Sequence, residues 1–302
     1  MNFIARLFGA GRINRAAPRD FRPEDLPATR PKLFADALLA HWSSMVGVNL
    51  VYLLVWLPAV VWVGVNFFAL DLLAGADGEG LLSALFTCLL VLWPLIALTG
   101  PATAGVTYVM RNWARGEHSF PFSDAVEHAR KNWKQALAVS TITGALPLLA
   151  LLLLTFYEGM IRQVNALFVV PLGLGLMAMI LWALMLEVVY TLMVTYRLRF
   201  AQLLKNAALL AVARLPLFAA MRLATLLLPA AALISLAALP GRAIYVWMAA
   251  GFFYIAFGLA LNRLLYASLA NAVCEKYINP TIGAPVNIGM RTQTPPPDAQ
   301  EE

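Results

Sequence analysis

The sequence predicts an all-α, polytopic membrane protein, a helical bundle with six transmembrane helices. Its 302 residues are 61% hydrophobic and only 13% charged, and the mean hydropathy is +0.75. That is more apolar surface than one soluble core buries. The apolar residues also fall in long runs, and the basic residues lie between those runs.

Six apolar runs reach the roughly 20 residues that a helix needs to cross about 30 Å of hydrocarbon. They are Met45–Leu70, Leu81–Met110, Ala136–Phe156, Ala166–Thr195, Leu217–Leu239 and Ile244–Ala270. The first, second and fourth are longer than one bilayer thickness requires, which predicts tilt, a kink or an extension beyond the membrane. Pro58, Pro101 and Pro171 mark where a kink would fall.

The charges in the connectors predict the orientation. Seven Arg and Lys residues precede the first span, whereas the loop after it carries Asp71, Asp77 and Glu79 and no basic residue. Basic loops stay in the cytoplasm, so both termini are expected inside. The sequence thus divides into a basic cytoplasmic segment over residues 1–44, a six-span domain over 45–270, and a cytoplasmic tail over 271–302. The polar, Pro-rich end of that tail is expected to be disordered from about residue 289.

Two cytoplasmic loops are predicted to contain amphipathic helices that lie in the membrane interface. In FSDAVEHARKNWKQAL, Phe122, Val126 and Trp133 recur at helical spacing while charged residues take the other faces. A related pattern follows the fourth span, where Leu203 and Leu204 precede Lys205. Such helices bind a bilayer surface through apolar area and charge.

Several classes of function lack support in the sequence. The net charge of +6 is explained by membrane topology, and the basic residues form no tract suited to nucleic acid. Cys88 and Cys274 have neither disulfide nor metal spacing, and the pair Asp124 and His128 is expected to be a polar helix face instead of a metal site. No P-loop, nucleophile elbow or zinc-protease motif occurs. We therefore expect no enzymatic activity, no metal and no cofactor.

The stretch LTGPATAG, residues 98–105, predicts a break in the second span. Pro101 has no N–H to donate to the carbonyl of Ala97, and Gly100 allows one helical segment to end before another begins. A carbonyl freed at membrane depth must be satisfied by protein or water, and Thr99 and Thr103 are near enough to do so. Alternatively, the small residues around the break serve close helix packing.

Polar side chains from several spans share a depth in the inner half of the membrane. Glu187 lies ten residues before Arg197, and Arg222 lies eight residues after Arg214, which places them roughly 15 Å and 12 Å from the cytoplasmic side at 1.5 Å per residue. The candidate polar layer comprises Asn49, Thr99, Gly100, Pro101, Thr103, Glu187, Arg222, Asn262 and Arg263. Three interpretations stay open: an ion pair of Glu187 with Arg222 or Arg263, a polar cavity open to the cytoplasm, or snorkelling arginines.

The segment GPATAGVTYVMRNWARGEHSF, followed by FSDAVEHARKNWKQAL, resembles the signature region of the YesL-like family of bacterial membrane proteins, which carry a domain of unknown function. VNLVYLLVWLP and CEKYINPTIGAP are similar to further family features, so the resemblance extends from about Asn49 onward. Members are often encoded beside carbohydrate-uptake transporters and polysaccharide-degrading enzymes. The resemblance therefore implies a bacterial inner-membrane protein with a role near sugar import, and it supplies no catalytic residues.

Together these observations favour a non-enzymatic membrane partner or regulator of a sugar transport system. Its expected partners are the lipid bilayer and a carbohydrate transporter component. The alternative is a stand-alone transporter of a small solute, such as a sugar, with a polar cavity facing the cytoplasm. The scarcity of polar groups in the outer halves of the spans favours the first. A membrane enzyme that uses Glu187, Arg222 and Asn262 is the third alternative.

Overall fold

The computed structural model of the chain describes residues 26–68, 78–239 and 241–291, and in these ranges the chain forms helices and no β-strand. The α-helices are α1 Arg30–Ala40, α2 Trp42–Phe68, α3 Gly78–Leu98, α4 Gly100–Trp113, α5 Pro121–Gln163, α6 Val169–Met185, α7 Val189–Thr195, α8 Phe200–Ala213, α9 Leu215–Ala238, α10 Ala243–Phe253, α11 Leu259–Tyr277 and α12 Asn279–Ile282. A 3₁₀ turn, Ala166–Phe168, leads into α6, and a π-helical turn, Tyr254–Gly258, joins α10 to α11.

Within the described ranges, six helical segments are long and apolar enough to cross a membrane. They are Trp42–Asn66, Gly78–Leu98, Pro121–Gln163, Ala166–Met185, Leu215–Ala238 and Ala243–Tyr277. Only 6% to 22% of the residues in their most apolar windows are buried. Helices with so much exposed apolar surface are typical of segments that contact lipid. The predicted all-α polytopic bundle with six spans is thus confirmed, whereas several bounds differ from the predicted ones.

The second span is shorter than the predicted Leu81–Met110. Helix α3 ends at Leu98, and α4 is a separate helix that packs against α5, α7 and α11. Most residues of α4 are buried, because its Gly, Ala and Thr residues let neighbouring backbones approach closely. The part of the apolar run after the break is therefore a core helix of the protein, not the end of a lipid-facing span.

The third span is part of a longer helix than predicted. Helix α5 has 43 residues, which is about 65 Å at 1.5 Å per residue. The interfacial helix predicted to turn into this span forms the first turns of α5, because neither Gly nor Pro interrupts the chain between Phe122 and Thr143. Phe122, Val126 and Trp133 are each about half exposed. The second predicted amphipathic helix is a separate element, α8.

The fourth and sixth predicted spans are interrupted, and the interruption of the fourth does not fall at Pro171, where a kink was expected. The predicted run Ala166–Thr195 ends as α6 at Met185, and α7 begins only at Val189. The predicted run Ile244–Ala270 contains the π-helical turn and continues as α11 through to Tyr277. The physical causes of both interruptions lie in polar side chains described with the candidate site.

The buried core lies mainly at one end of the bundle. Two apolar clusters form this core. One contains residues of α4 to α9 and α11, and the other contains residues of α2, α4 and α11. This end also contains α1, the α4–α5 and α7–α8 connections, and the segment after α11. We call it the basic end, because it carries many Arg and Lys residues, among them Arg30, Arg111, Arg115, Arg197 and Arg199.

The segment after α11 is folded onto the basic end. Glu275 of α11 pairs with Arg30 and accepts a hydrogen bond of 2.6 Å from the backbone N–H of Asn287. The backbone N–H of Arg291 donates to the carbonyl of Pro27 at 3.0 Å. The predicted domain boundary at residue 270 therefore falls inside a buried helix. Of the predicted disorder from about residue 289, residues 292–302 lie outside the described ranges.

Candidate functional site

Glu187 and Arg222 form a buried ion pair between the α6–α7 turn and α9. Arg222 Nε lies 3.1 Å from Glu187 Oε1, and the Glu187 side chain is fully buried whereas that of Arg222 is 21% exposed. The two atoms are close without hydrogen-bond alignment. The second carboxylate oxygen of Glu187 has no hydrogen-bond partner among the described residues. Arg222, and not Arg263, is thus the ion-pair partner of Glu187.

The turn that carries Glu187 is what lets Arg222 reach the α6 backbone. The N–H of Glu187 bonds to the carbonyl of Leu184 at 3.2 Å, three residues back instead of four. This change releases the carbonyl of Ala183, which accepts a hydrogen bond from Arg222 Nη2. Arg222 therefore compensates the charge of a buried carboxylate and donates to a backbone carbonyl freed by the helix break.

Arg263 has no carboxylate partner in the described part of the chain; aromatic rings surround it instead. Its guanidinium lies 5.3 Å from the ring centre of Tyr190 and 5.7 Å from that of Tyr266, and Tyr52 also lies beside it. Arg222 lies 5.2 Å from the Tyr266 ring and donates to its hydroxyl at 3.1 Å. Stacking on tyrosine faces stabilises a desolvated guanidinium. We call these five residues the arginine–tyrosine cluster.

The cluster connects to the predicted break through a hydroxyl pair. Tyr52 of α2 and Thr103 of α4 have their hydroxyl oxygens 2.7 Å apart. Thr103 also donates to the carbonyl of Thr99 at 2.9 Å. Polar groups of five helices, α2, α4, α7, α9 and α11, therefore lie in one contiguous layer, as the common depth of the charges in the sequence predicts.

The break at Gly100 and Pro101 is satisfied by a neighbouring helix. The carbonyl of Ala97, which Pro101 cannot serve, accepts a hydrogen bond of 2.5 Å from Ser140 of α5. Thr99, expected to serve that carbonyl, instead donates to the carbonyl of Ile96 at 2.8 Å. The protein itself thus supplies a donor to this carbonyl.

Small residues at the break allow α4 and α5 to pack backbone to backbone. A Cβ at Gly100 would lie 2.4 Å from the carbonyl oxygen of Ala136, and one at Gly105 would lie 2.1 Å from that of Ala125. Neither distance can accommodate a methyl group. The geometry therefore favours the close-packing interpretation of the small residues.

Asn49 is used by the π-helical turn. Its Nδ2 donates to the carbonyls of Tyr254 and Ile255 at 2.9 and 2.8 Å, and its Oδ1 accepts from the N–H of Ala260 at 2.9 Å. One amide side chain thus replaces the backbone bond between Ile255 and Ala260, a known cause of helix irregularity. Asn262 lies near the Tyr254 hydroxyl. These two asparagines belong to the turn and not to the arginine–tyrosine cluster.

The sequence analysis did not identify the tyrosines of the cluster or Ser140. A signal was available for two of them: Tyr190 follows Glu187 by three residues, and Tyr266 follows Arg263 by three. Residues three apart share a helix face, so this spacing predicts a tyrosine ring close to each of the two charged side chains. Nothing near Ser140 in the sequence links it to a carbonyl 43 residues away.

The remaining titratable candidates have structural partners. Asp124 accepts hydrogen bonds from the Ser119 hydroxyl at 2.6 Å and the Phe120 N–H at 2.9 Å, at the start of α5. His128 is stacked on Tyr108. Over the described ranges, no group of three or more His, Cys, Asp or Glu residues is placed to hold a metal ion.

The fold and this layer define the class of protein: a polytopic α-helical membrane protein with a buried ion pair and an arginine–tyrosine cluster between its helices. Residues 80–156 match the family model described as "Protein of unknown function, DUF624". The match spans nearly all of α3, all of α4 and most of α5, so it contains the Gly100–Pro101 break and Ser140 but neither Glu187 nor the two cluster arginines. No curated protein and no solved structure matches the chain.

Proposed function

We propose that the chain is a non-enzymatic partner or regulator of a carbohydrate uptake system in the bacterial inner membrane. The observation that supports the proposal is the uneven distribution of buried residues along the bundle. The buried core lies at the basic end, while most of the span surface is left to lipid. A membrane protein that docks onto another needs a rigid surface of this kind.

Polar contacts hold the basic end as one unit. Arg30 pairs with Glu275, and Arg115 Nε donates to Asn271 at 3.1 Å. Tyr196 donates to Asn279 at 2.6 Å, and burial raises the pKa of Tyr196, so its hydroxyl stays protonated as a donor. Partly and fully buried hydrogen bonds such as these restrict the shape of a surface. The carbohydrate part of the proposal is supported by the YesL-like sequence resemblance alone.

The proposal predicts a stoichiometric complex in native membranes. A tagged protein purified in mild detergent is expected to retain a subunit of a sugar transporter at a fixed ratio, measured by quantitative mass spectrometry. A tagged, unrelated six-span protein from the same membranes serves as the control for detergent carry-over. A particle that purifies alone and by itself catalyses sugar entry into proteoliposomes would contradict the proposal.

A second candidate, a stand-alone transporter of a small hydroxyl-rich solute, is favoured by one observation. The described residues leave Glu187 Oε2 without a hydrogen bond and Arg263 without a carboxylate. Both groups are suited to binding a polar solute at membrane depth. In this case reconstituted protein would accumulate labelled sugar, and Glu187→Gln would abolish that uptake.

The proposed orientation, with both termini cytoplasmic, predicts the result of reporter fusions. A periplasm-active reporter fused after Ala76 is expected to be active, since the preceding loop lacks Lys and Arg. The same reporter fused after Gly116 is expected to be inactive, because Arg111 and Arg115 hold that loop inside. The opposite pattern at either site would reject the orientation.

A further inference from the structure

A groove opens at the basic end between the first turns of α5 and the α7–α8 connection. Its volume is about 960 Å³, at the upper end of the roughly 300–1,000 Å³ typical of ligand pockets. His128 and residues 131–135 form one wall, and residues 193–199 form the other. Gln135 joins the walls, because its Nε2 donates to the carbonyl of Leu198 at 2.9 Å. The groove is thus a fixed feature of the fold.

The groove is lined by cations and by no carboxylate. Lys131, Lys134, Arg197 and Arg199 contribute to its walls, and no Asp or Glu does. Lys131 reaches Glu127 outside the groove at 2.5 Å, yet remains 60% exposed. The ion pairs between described residues include none with Lys134, Arg197 or Arg199. Four clustered, largely uncompensated positive charges favour an anionic occupant.

The groove wall also contains an uncharged donor without a hydrogen-bond partner. The Thr195 hydroxyl is buried in the wall and has no hydrogen-bond partner among the described residues. A buried polar atom without a partner is costly, and a ligand oxygen would satisfy it. Two guanidinium groups and a hydroxyl suit the several oxygens of a phosphate, which arginine binds through paired hydrogen bonds.

The position of the groove indicates a lipid as the source of that phosphate. Trp133 lines the groove and is 48% exposed. One turn further along, α5 enters its apolar stretch at Ala136. Tryptophan at the end of an apolar stretch is typical of the headgroup level of a bilayer. A phospholipid with its phosphate bound here would have its acyl chains beside the apolar part of α5.

We infer that this groove binds a phosphate-bearing anion, namely the headgroup of an anionic phospholipid. The inference does not depend on the proposed function, because it concerns lipid and not a protein partner. Clusters of Arg and Lys at membrane interfaces attract anionic headgroups, and the attraction falls with rising salt. Here the cations form a defined cleft with a hydrogen-bond donor, which predicts a saturable site in place of diffuse attraction.

The test compares lipids, soluble phosphate and matched variants. Delipidated protein in a neutral maltoside detergent is titrated with phosphatidylglycerol, with phosphatidylcholine of the same chain length, and with inorganic phosphate. Binding is followed by native mass spectrometry and by the thermal unfolding midpoint. The groove variant is Arg197→Gln with Arg199→Gln, and Lys131→Gln with Lys134→Gln tests the opposite wall. Arg130→Gln with Lys205→Gln is the control, because both residues are exposed at the same end and do not line the groove.

We expect the protein to bind phosphatidylglycerol saturably and in preference to phosphatidylcholine. The affinity for phosphatidylglycerol is expected to fall at least about tenfold in each groove variant and to stay within about twofold of wild type in the control. If inorganic phosphate binds as tightly as the lipid, the groove is a phosphate site, but the inference that a lipid supplies the phosphate is overturned. Equal losses in the groove and control variants would overturn the site, since net charge alone would then explain binding. Equal binding of both lipids would overturn it as well.

Discussion

Replacing Arg222 by Gln is expected to lower the free energy of unfolding by about 3–5 kcal/mol, because it leaves a buried carboxylate without a compensating charge. Glu187 is fully buried, and Arg222 is its partner in the described structure. The same change removes the donor to the Ala183 carbonyl at the α6 break. Thermal and denaturant unfolding in one detergent measure the loss.

Glu187→Gln is expected to cost less than Arg222→Gln. Without the carboxylate, Arg222 still donates to the Ala183 carbonyl and the Tyr266 hydroxyl, and it is partly exposed. The double variant is expected to recover part of the Arg222→Gln loss, because no charge is then left buried alone. The recovery is limited, since the Ala183 carbonyl still lacks its donor.

Arg162→Gln is the matched control for losing an arginine from an ion pair. Arg162 lies 2.6 Å from Glu158 on the exposed face of α5, and its side chain is 76% exposed. Exposed pairs of this kind contribute about 0–1 kcal/mol. Additive losses in the Glu187 and Arg222 double variant, or a loss at Arg162 as large as at Arg222, would contradict the assigned pair.

The fold class was predictable because it depends on composition and run length. Span five, predicted as Leu217–Leu239, matches α9 to within a few residues. The predicted start of span one, Met45, lies three residues after the start of α2, and its predicted end, Leu70, lies outside the described residues. The interruption at Gly100 was also predictable, since Pro101 cannot donate. The interruption after Met185 was not, because the group that satisfies the freed Ala183 carbonyl is Arg222, which is remote in sequence.

The candidate site was predictable as a depth but not as a set of contacts. Helix-rise arithmetic placed Glu187 and Arg222 within about 3 Å of the same level, and the structure pairs them. The sequence analysis also assigned Asn49 and Arg263 to this polar layer. In the structure, however, Asn49 forms hydrogen bonds with the π-helical turn, and Arg263 contacts tyrosine rings. Depth follows from position along one helix, whereas a contact depends on how each helix is rotated, which hydropathy does not specify.

The second large effect is expected at Gly105, where Gly105→Ala should lower the free energy of unfolding by about 3 kcal/mol, at the upper end of typical overpacking costs. The added Cβ would lie 2.1 Å from the carbonyl oxygen of Ala125 and 2.9 Å from its carbonyl carbon. Both are backbone atoms of α5, so no side-chain rotation relieves the clash. Helices α4 and α5 would have to separate.

Gly159→Ala is the matched control, since Gly159 is also a helical glycine, in α5, with nothing within 4 Å of an added Cβ. Alanine favours the helix over glycine by about 0.5–1 kcal/mol, so this variant is expected to unfold at the wild-type temperature or slightly above it. Unfolding of the two variants at the same temperature would show that α4 and α5 do not meet backbone to backbone. A loss confined to Gly105→Ala would instead assign the small residues beyond the Gly100–Pro101 break to close packing of α4 against α5.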